Sequence, residues 1–376
     1  MDADISGCFD NINHNKLLEI IGNFPYRKYI AKWLKAGYVD KNVFNPTKSG
    51  TPQGGICSPL LANIALHGMT KALGIKYDHK GRLFCTRAFV RYADDFCIFC
   101  MTKEDAYKAK NEINKWLNSR GLNLSEEKTR IIHLTEGFDF LGFNIRHYKV
   151  SNTKTGYKLL IKPSKEFLQK TRNDIREIFL NHHGKPVNTL IGKINPVIRG
   201  KANYMKIGVS SESFSNLDNY IFKRERRYVN RMHPDKSKKW MKNKYWGRLN
   251  LQRPNNKWVF GDKKTGNHVL KFAWTKIERH VMVKGKYSPD DPTLKEYWEK
   301  RQLQISKKES NKLNKLNKRI AAKQNYKCPV CGQPLFNGET IHRHHIVPRC
   351  KNGKDTVDNL VWVHLICHHK IHHQKE

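Results

Sequence analysis

The sequence predicts a multidomain α+β protein, and three observations carry that expectation. At 376 residues the chain is too long for one small core. Short β-rich runs mix with helical stretches up to residue 146, and from about residue 165 to residue 232 apolar residues recur mostly at helical spacing. A Cys/His-rich segment then closes the chain from Tyr326 onward.

The amino-terminal layer reads in order. "RAFVRYADDFCIFCM" is two strands around a tight polar turn. "KEDAYKAKNEINKWLNSRGLNLSEEKTR" is a helix stopped by Gly121, followed by a short strand. Apolar positions in "KEFLQKTRNDIREIFL" keep helical spacing and open a mostly helical stretch over 165–232. Residues 233–305 are basic and rich in Trp and Tyr, and "SKKESNKLNKLNKRIAAKQ" is an exposed helix or a linker.

Charge narrows the function. Lys and Arg number 71 against 33 Asp and Glu, a formal net charge of +38 spread over several regions. Self-repulsion on this scale calls for a polyanionic partner, and nucleic acid fits best. No apolar run approaches the roughly 20 residues of a membrane span, and the chain does not open with a signal peptide, so no membrane partner is expected. Nine unevenly spread cysteines argue for a reducing compartment over a disulfide framework. The expected location is the bacterial cytoplasm, with an organelle as the alternative.

"YADD" sets Asp94 and Asp95 side by side at the hairpin turn. Adjacent carboxylates repel unless cations neutralise them. Mg²⁺ takes oxygen ligands, and a third carboxylate on a neighbouring strand would complete a two-metal clamp. Asp4, followed by Ile5, is placed for that role. An isolated pair of aspartates in a turn is more often a solvated loop, but this pair is not isolated.

"DISGCFDNINH", "GTPQGGICSPLLANI", "RYADDFCIF", "GLNLSEEKT" and "FDFLGFNIR" follow one another in this order. Together they resemble the successive palm motifs of a reverse transcriptase of the group II intron maturase type. The resemblance implies that Asp4, Asp94 and Asp95 hold two Mg²⁺ ions. It implies that Phe9 is the bulky gate excluding a nucleotide 2′-OH, against the plainer reading of a core aromatic. It places Gln53, in Pro52-Gln53-Gly54-Gly55, along the nascent base pair, and Lys128 near the incoming triphosphate, although one charge on a solvated helix explains Lys128 nearly as well. Asp10 is expected to cap the helix of "NINHNKLLEII".

"KINPVIRGKANYMKIG" and "YIFKRERRYVNRMHPDKSKKWMKNKYW" are similar to the thumb, or maturase, region of the same family. Binding of structured intron RNA and support of its splicing follow from that likeness. Arg224, Arg226, Arg227, Lys236, Lys238 and Lys239 are expected to contact phosphates, and Tyr228, Trp240, Tyr245 and Trp246 to offer stacking platforms. For each aromatic a core position is equally plausible.

In the closing segment Cys328-x2-Cys331 is a knuckle spacing that needs two more ligands, and His364-x2-Cys367 supplies them. A closed site of this kind is structural Zn²⁺, and in so small a module the metal replaces a missing core. Cys350 is incidental. Cys97-x2-Cys100 is excluded as a metal site because i and i+3 face opposite sides of a strand.

A second series runs His344, His345, Asn359, His368, His372, with the last two on one helix face. It resembles an HNH endonuclease of the ββα-metal fold, which implies target DNA as a partner. On that likeness His344, His368 and His372 hold Mg²⁺ or another divalent cation, His345 is the general base, and Asn359 braces the loop carrying His345. His342 and His369 are alternative ligands. A plain zinc knuckle for nucleic acid is the blander reading of the module.

The expected division is a palm over 1–146, a thumb or maturase region over 147–232, a basic nucleic-acid-binding region over 233–305, a basic linker over 306–325 and the HNH endonuclease over 326–376. A complete member of the family carries a fingers block before the Asp4 motif, so the chain is expected to be a carboxy-terminal piece whose fingers segment is separately encoded or lost. Three readings follow: a multifunctional intron-encoded protein, an active HNH endonuclease with an inactive polymerase remnant, or a non-enzymatic RNA-binding splicing factor.

Overall fold

A computed structural model describes the chain except for residues 41, 52–54, 80, 285–286 and 374–376. It divides into two compact units, one of Met1–His79 with Leu83–Met282 and one of Lys80–Arg82 with Val283–Glu376.

The first unit begins with β1 (Asp2–Ala3), β2 (Ile5–Ser6), α1 (Cys8–Asn11), α2 (His14–Ile21), α3 (Arg27–Lys35), the β3 (Tyr38–Asp40) and β4 (Val43–Asn45) hairpin, α4 (Ser58–Ala65) and α5 (Met69–Ala72). Then come β5 (Ala88–Tyr92), β6 (Asp95–Phe99), α6 (Lys103–Asn118) and β7 (Asn123–Leu124). The expected hairpin is present, and its sheet order is β1-β6-β5, all antiparallel. Tyr92 pairs with Asp95 across a two-residue turn in which Ala93 takes φ 53°, a conformation a β-carbon disfavours. Helix α6 starts where Thr102 accepts from Asp105 N and ends before Gly121, whose φ of 76° suits glycine. Phe96, Ile98, Ile113 and Leu117 are fully enclosed in the core shared by this sheet and its helices.

One expectation is corrected here. Asp10 does not cap α2; it lies within α1, and the Asn13 side chain accepts from Lys16 N at 3.0 Å. Asn13 is the residue immediately before the helix, where a side-chain acceptor reaches the free N–H groups.

The sheet β8 (Phe138–Phe140), β9 (Phe143–Lys149) and β10 (Tyr157–Pro163) leads into α7 (Lys165–Asn181), α8 (Val187–Met205) and α9 (Ser211–Met232). Helix α10 (Lys238–Tyr245), β11 (Trp246–Gly247) and β12 (Val259–Phe260) follow. The expected boundary at 232/233 does not separate two cores. Ile175, Ile194, Leu217, Trp246, Phe260 and Phe272 are buried in one cluster, so the basic segment folds onto the helices before it.

In the second unit α11 (Lys295–Ser310) and α12 (Lys315–Lys323) precede β13 (Ile341–His345), β14 (Leu360–His364) and α13 (Leu365–His373). The expected 306–325 linker is instead helical over most of its length and part of the module. Ile320 and Ala321 on α12 are buried with Leu335, Leu360 and Val363. Trp362 ties the two together by donating from its indole N–H to Asn317 O at 3.1 Å and exchanging backbone hydrogen bonds with the Gln324 side chain.

Candidate functional site

The palm register brings the carboxylates together. Strands β1 and β6 pair Asp2 with Cys97 and Ala3 with Phe96, so the next step along the register sets Asp4 beside Asp95. Asp94 lies in the turn one residue earlier. Burial pushes the Asp95 carboxyl upward, the Asp94 and Asp4 charges push it the same way, and Lys128 opposes them. A cavity of about 220 Å³ is lined by Asp2, Asp4, Asp95, Lys128 and Asp139. Asp139 was not singled out in the sequence although it lies in "FDFLGFNIR"; Asn144 donates to it at 2.6 Å.

Lys128 ends at Asp4, with Nζ 2.8 Å from Oδ2. The hydrogen bond to Asp4 raises the Lys128 ammonium above its ordinary value. Phe9 is half-buried against the palm core, and its carbonyl accepts from Thr51 N at 2.6 Å. Gly50 lies so close to the Phe9 and Asp10 carbonyls that a β-carbon there would collide, and its φ is 77°. The loop that begins at Gly50 is thereby fastened to α1. Gln53 lies outside the described residues.

Among the described residues, two groups of metal-ligating side chains bring their ligand atoms within 4.8 Å of one another, and the palm aspartates are not one of them. The first is Cys328, Cys331, His364 and Cys367. His364 Nδ1 is 3.3 Å from Cys331 Sγ, while its Nε2 faces Pro334 O at 3.2 Å. An N–H donated to that carbonyl leaves Nδ1 as the ligand atom. Burial works against ionising Cys328, but backbone N–H groups of Cys331, His364 and Val330 outweigh it and bring the thiol down to about 7. Burial and the two neighbouring sulfurs push Cys367 up to about 12. Three sulfurs and one imidazole fit a closed tetrahedral Zn²⁺ site.

The second group is His344, His368 and His372. His344 comes from β13, and the other two are one turn apart on α13, with ring centroids 4.7 Å apart. Burial lowers His368, and the neighbouring imidazoles His372, His342 and His369 lower it further. The His342 ring also lies near His368, at 5.7 Å, but is not part of the group. Three imidazole nitrogens are a donor set for a divalent cation.

His345, next to His344 on β13, is held by Asp355: Nε2 and Oδ1 are 2.6 Å apart. Asp355 also accepts from Arg349 at 2.7 Å. These two partners hold the Asp355 carboxyl below its ordinary range. Asn359 accepts from Val347 N at 2.7 Å and donates to the Val347 and Lys354 carbonyls at 3.0 Å. Asp355 was missed because "GKDTVDN" reads as a solvated loop.

On the basic surface Arg226, Arg227, Lys236, Lys238 and Lys239 are exposed. Arg224 is half-buried and donates to the Tyr220 hydroxyl at 2.9 Å. Trp240 remains accessible at 37%, with Lys244 Nζ 4.7 Å from its ring centre. Tyr228, Tyr245 and Trp246 are buried in the helical core and are not platforms. Trp258, 45% exposed, was not anticipated.

Comparison with known families finds three matching segments. Residues 1–145 match the reverse transcriptase (RNA-dependent DNA polymerase) family, 168–246 the group II intron maturase-specific domain and 328–374 the HNH endonuclease family. The chain is 31% identical over 244 residues to the group II intron-encoded protein LtrA of Lactococcus lactis, covering 48% of this chain and 41% of that protein. It is 28% identical over 299 residues to an uncharacterized 91 kDa protein in the cob intron of Schizosaccharomyces pombe, covering 59% and 36%. It is 24% identical over 230 residues to the retron Ec86 reverse transcriptase of Escherichia coli, covering 61% of each. The chain thus spans less than two thirds of each of these relatives. Among the described residues no helix is long and apolar enough to cross a membrane. The chain thus carries, in this order, a segment similar to the reverse transcriptase family, a segment similar to the group II intron maturase-specific domain and a segment similar to the HNH endonuclease family.

Proposed function

We propose that the protein binds group II intron RNA, copies RNA into DNA at its palm and cleaves target DNA at its carboxy-terminal module. The observation that carries this reading is the convergence of His344, His368 and His372 beside a His345 already oriented by a carboxylate.

At the module, a divalent cation bound by the three imidazoles would stabilise the departing 3′-oxygen of a phosphodiester. An all-nitrogen donor set suits a borderline cation better than Mg²⁺, which favours oxygen. His345 acts as general base. Its Nε2 proton is shared with Asp355, so Nδ1 is free to take a proton from water. Asn359 holds the loop that follows His345, and Cys328, Cys331, His364 and Cys367 hold Zn²⁺ that is structural.

At the palm, Asp4, Asp94 and Asp95 supply the oxygen donors that two Mg²⁺ ions require, and Phe9, Gln53 and Lys128 surround the nucleotide. Arg226, Arg227, Lys236, Lys238 and Lys239 neutralise phosphates, and Trp240 offers a stacking face. Arg224 serves by holding Tyr220.

A second reading, an HNH nuclease with an inactive palm, is favoured by one observation: the Asp4 carboxylate is paired with Lys128, Nζ to Oδ2 at 2.8 Å. Two assays on one preparation separate the readings. Extension of oligo(dT) on poly(rA) with Mg²⁺, abolished by Asp94→Asn, and nicking of supercoiled DNA, abolished by His345→Ala, together support the first. Nicking without extension supports the second. RNA binding with neither activity would leave a splicing factor.

A further inference from the structure

The turn that carries Asp94 is held by a side chain that is not a carboxylate. Across the palm hairpin Arg91 pairs with Phe96 and Phe89 with Ile98, so Arg91 leaves β5 on the face that these apolar residues share. Phe96 and Ile98 are fully enclosed, which makes this the core side of the sheet and an uncommon place for a cation. The half-buried Arg91 answers its position with two hydrogen bonds from one nitrogen. Nη1 donates to Ala93 O at 2.8 Å and to Asn63 Oδ1, on α4, at 3.0 Å.

Ala93 is the residue that needs holding. Its φ of 53° lies in the left-handed region, where two-residue hairpin turns favour glycine or asparagine. An alanine in that conformation is strained, and it persists only where the surroundings enforce it. Ala93 O and Asp94 N belong to one peptide plane, so fixing that carbonyl fixes the direction in which Asp94 leaves the turn. Asn63 gives the brace a firm base, because Leu61, Ala62 and Ala65 of the same helix are buried in the palm core. Both acceptors are neutral oxygens. Among the described residues Arg91 therefore steadies the turn without pairing with a carboxylate, in contrast to Lys128 on Asp4.

We propose that Arg91 is a positioning residue for the palm metal site: through the Ala93 carbonyl it aims the Asp94 carboxylate at the place where a divalent cation joins Asp4 and Asp95. The inference rests on the palm reading above. Groups that orient a metal ligand commonly govern metal affinity by about 10- to 100-fold. Glycine in place of Ala93 adopts a positive φ without help, so it makes the brace dispensable. A merely structural role for Arg91 carries no such dependence on residue 93.

The test uses the full chain with Fe²⁺ as the probe, an ion that accepts both carboxylate and imidazole ligands. With ascorbate and peroxide, bound Fe²⁺ generates hydroxyl radicals that cut the backbone beside it, and mass spectrometry maps the cuts. In the parent, cuts should fall within a few residues of Asp94 and also beside His368 and His372, which serve as an internal control. Arg91→Ala should need about tenfold more Fe²⁺ to be cut at the turn and the same Fe²⁺ to be cut at the histidines. Adding Ala93→Gly to that variant should restore the parent's behaviour at the turn. Asn63→Ala, at an exposed helix position, frees one side of the guanidinium and should shift the requirement the same way by about two- to fivefold. It serves if Arg91→Ala does not fold. Cutting of Arg91→Ala at the turn with the parent's Fe²⁺ requirement, or a loss that Ala93→Gly does not restore, overturns the positioning role. A parent cut beside the histidines but not near Asp94 overturns the palm metal reading along with it.

Discussion

Asp355 holds His345: one carboxylate oxygen lies 2.6 Å from Nε2 of the imidazole, and the other accepts from Arg349 at 2.7 Å. An N–H donated from Nε2 fixes the tautomer and leaves Nδ1 as the basic nitrogen. Asp355→Ala should therefore lower metal-dependent DNA nicking about 10- to 100-fold, the usual cost of losing an orienting partner. His345 and Arg349 hold Asp355 below the ordinary carboxylate range, so it stays ionised at pH 5. Nicking of supercoiled DNA by the variant and the parent under one set of conditions checks the expected loss, and nicking at the parent's rate would show that Asp355 does not orient the base.

The Cys3His group should be required for the carboxy-terminal module to fold. Few apolar side chains are buried there, and Cys328 and Cys367 are themselves among them. Cys328→Ser should remove about one Zn²⁺ per chain in metal analysis and abolish nicking. Limited proteolysis should then cut within 326–376 and leave the Met1–Met282 region resistant. A variant that loses Zn²⁺ but keeps nicking would show that the site is dispensable.

Much of this site was legible because its chemistry is written as spacing. Cys-x2-Cys, His-x2-Cys and His-x3-His place ligands by local geometry alone, and the YADD hairpin needs only a two-residue turn. Asp355 was not legible because its partner is set by the return path of a loop braced by Asn359. Glu225 looked like one more charge in "FKRERRY", yet Ile221, Glu225 and Tyr228 are one helical face and are buried together. Tyr228, Tyr245 and Trp246 looked like platforms because the ring that covers all three, Phe260, comes from a later strand.

On the proposed palm chemistry Lys128 and Mg²⁺ would compete for Asp4, since Nζ is 2.8 Å from Oδ2. Lys128→Ala should lower the Mg²⁺ concentration for half-maximal primer extension by about two- to fivefold. The gain is small because the ammonium is exposed and screened by water. The KM for the incoming nucleotide should rise in the same variant if the lysine moves to the triphosphate when metal binds. A rise in KM with no change in Mg²⁺ requirement would show that the ion pair does not hold the metal back.

Exposed cations of the basic segment should act on RNA through phosphate alone. Replacing Arg226, Lys238 or Lys239 with Ala should weaken binding of unrelated RNAs alike and reduce the slope of log K against log salt by about 0.7 to 1 per residue. Arg224→Ala should leave that slope nearly unchanged, because this guanidinium is engaged with the Tyr220 hydroxyl. Equal slope changes for Arg224 and Arg226 would overturn the distinction.

Glu225 should also mark the protein's stability against pH. Burial raises its carboxyl to about 8 from an ordinary 4.5; the Trp246 hydrogen bond and Lys271 oppose the rise, and Asp218 adds to it. Between those two values the folded chain keeps a proton that the unfolded chain has released. Stability must therefore fall as pH rises through this window, and level off above it. Glu225→Gln removes the titrating group and keeps an acceptor for the Trp246 indole. Its unfolding temperature, followed by tryptophan fluorescence, should gain on the parent's as pH rises from 5 to 8, by several degrees at the upper end. A smaller slope of the same sign should remain in the variant, because burial also raises Asp218. Parallel curves for the two proteins would mean that Glu225 is already ionised in the folded chain.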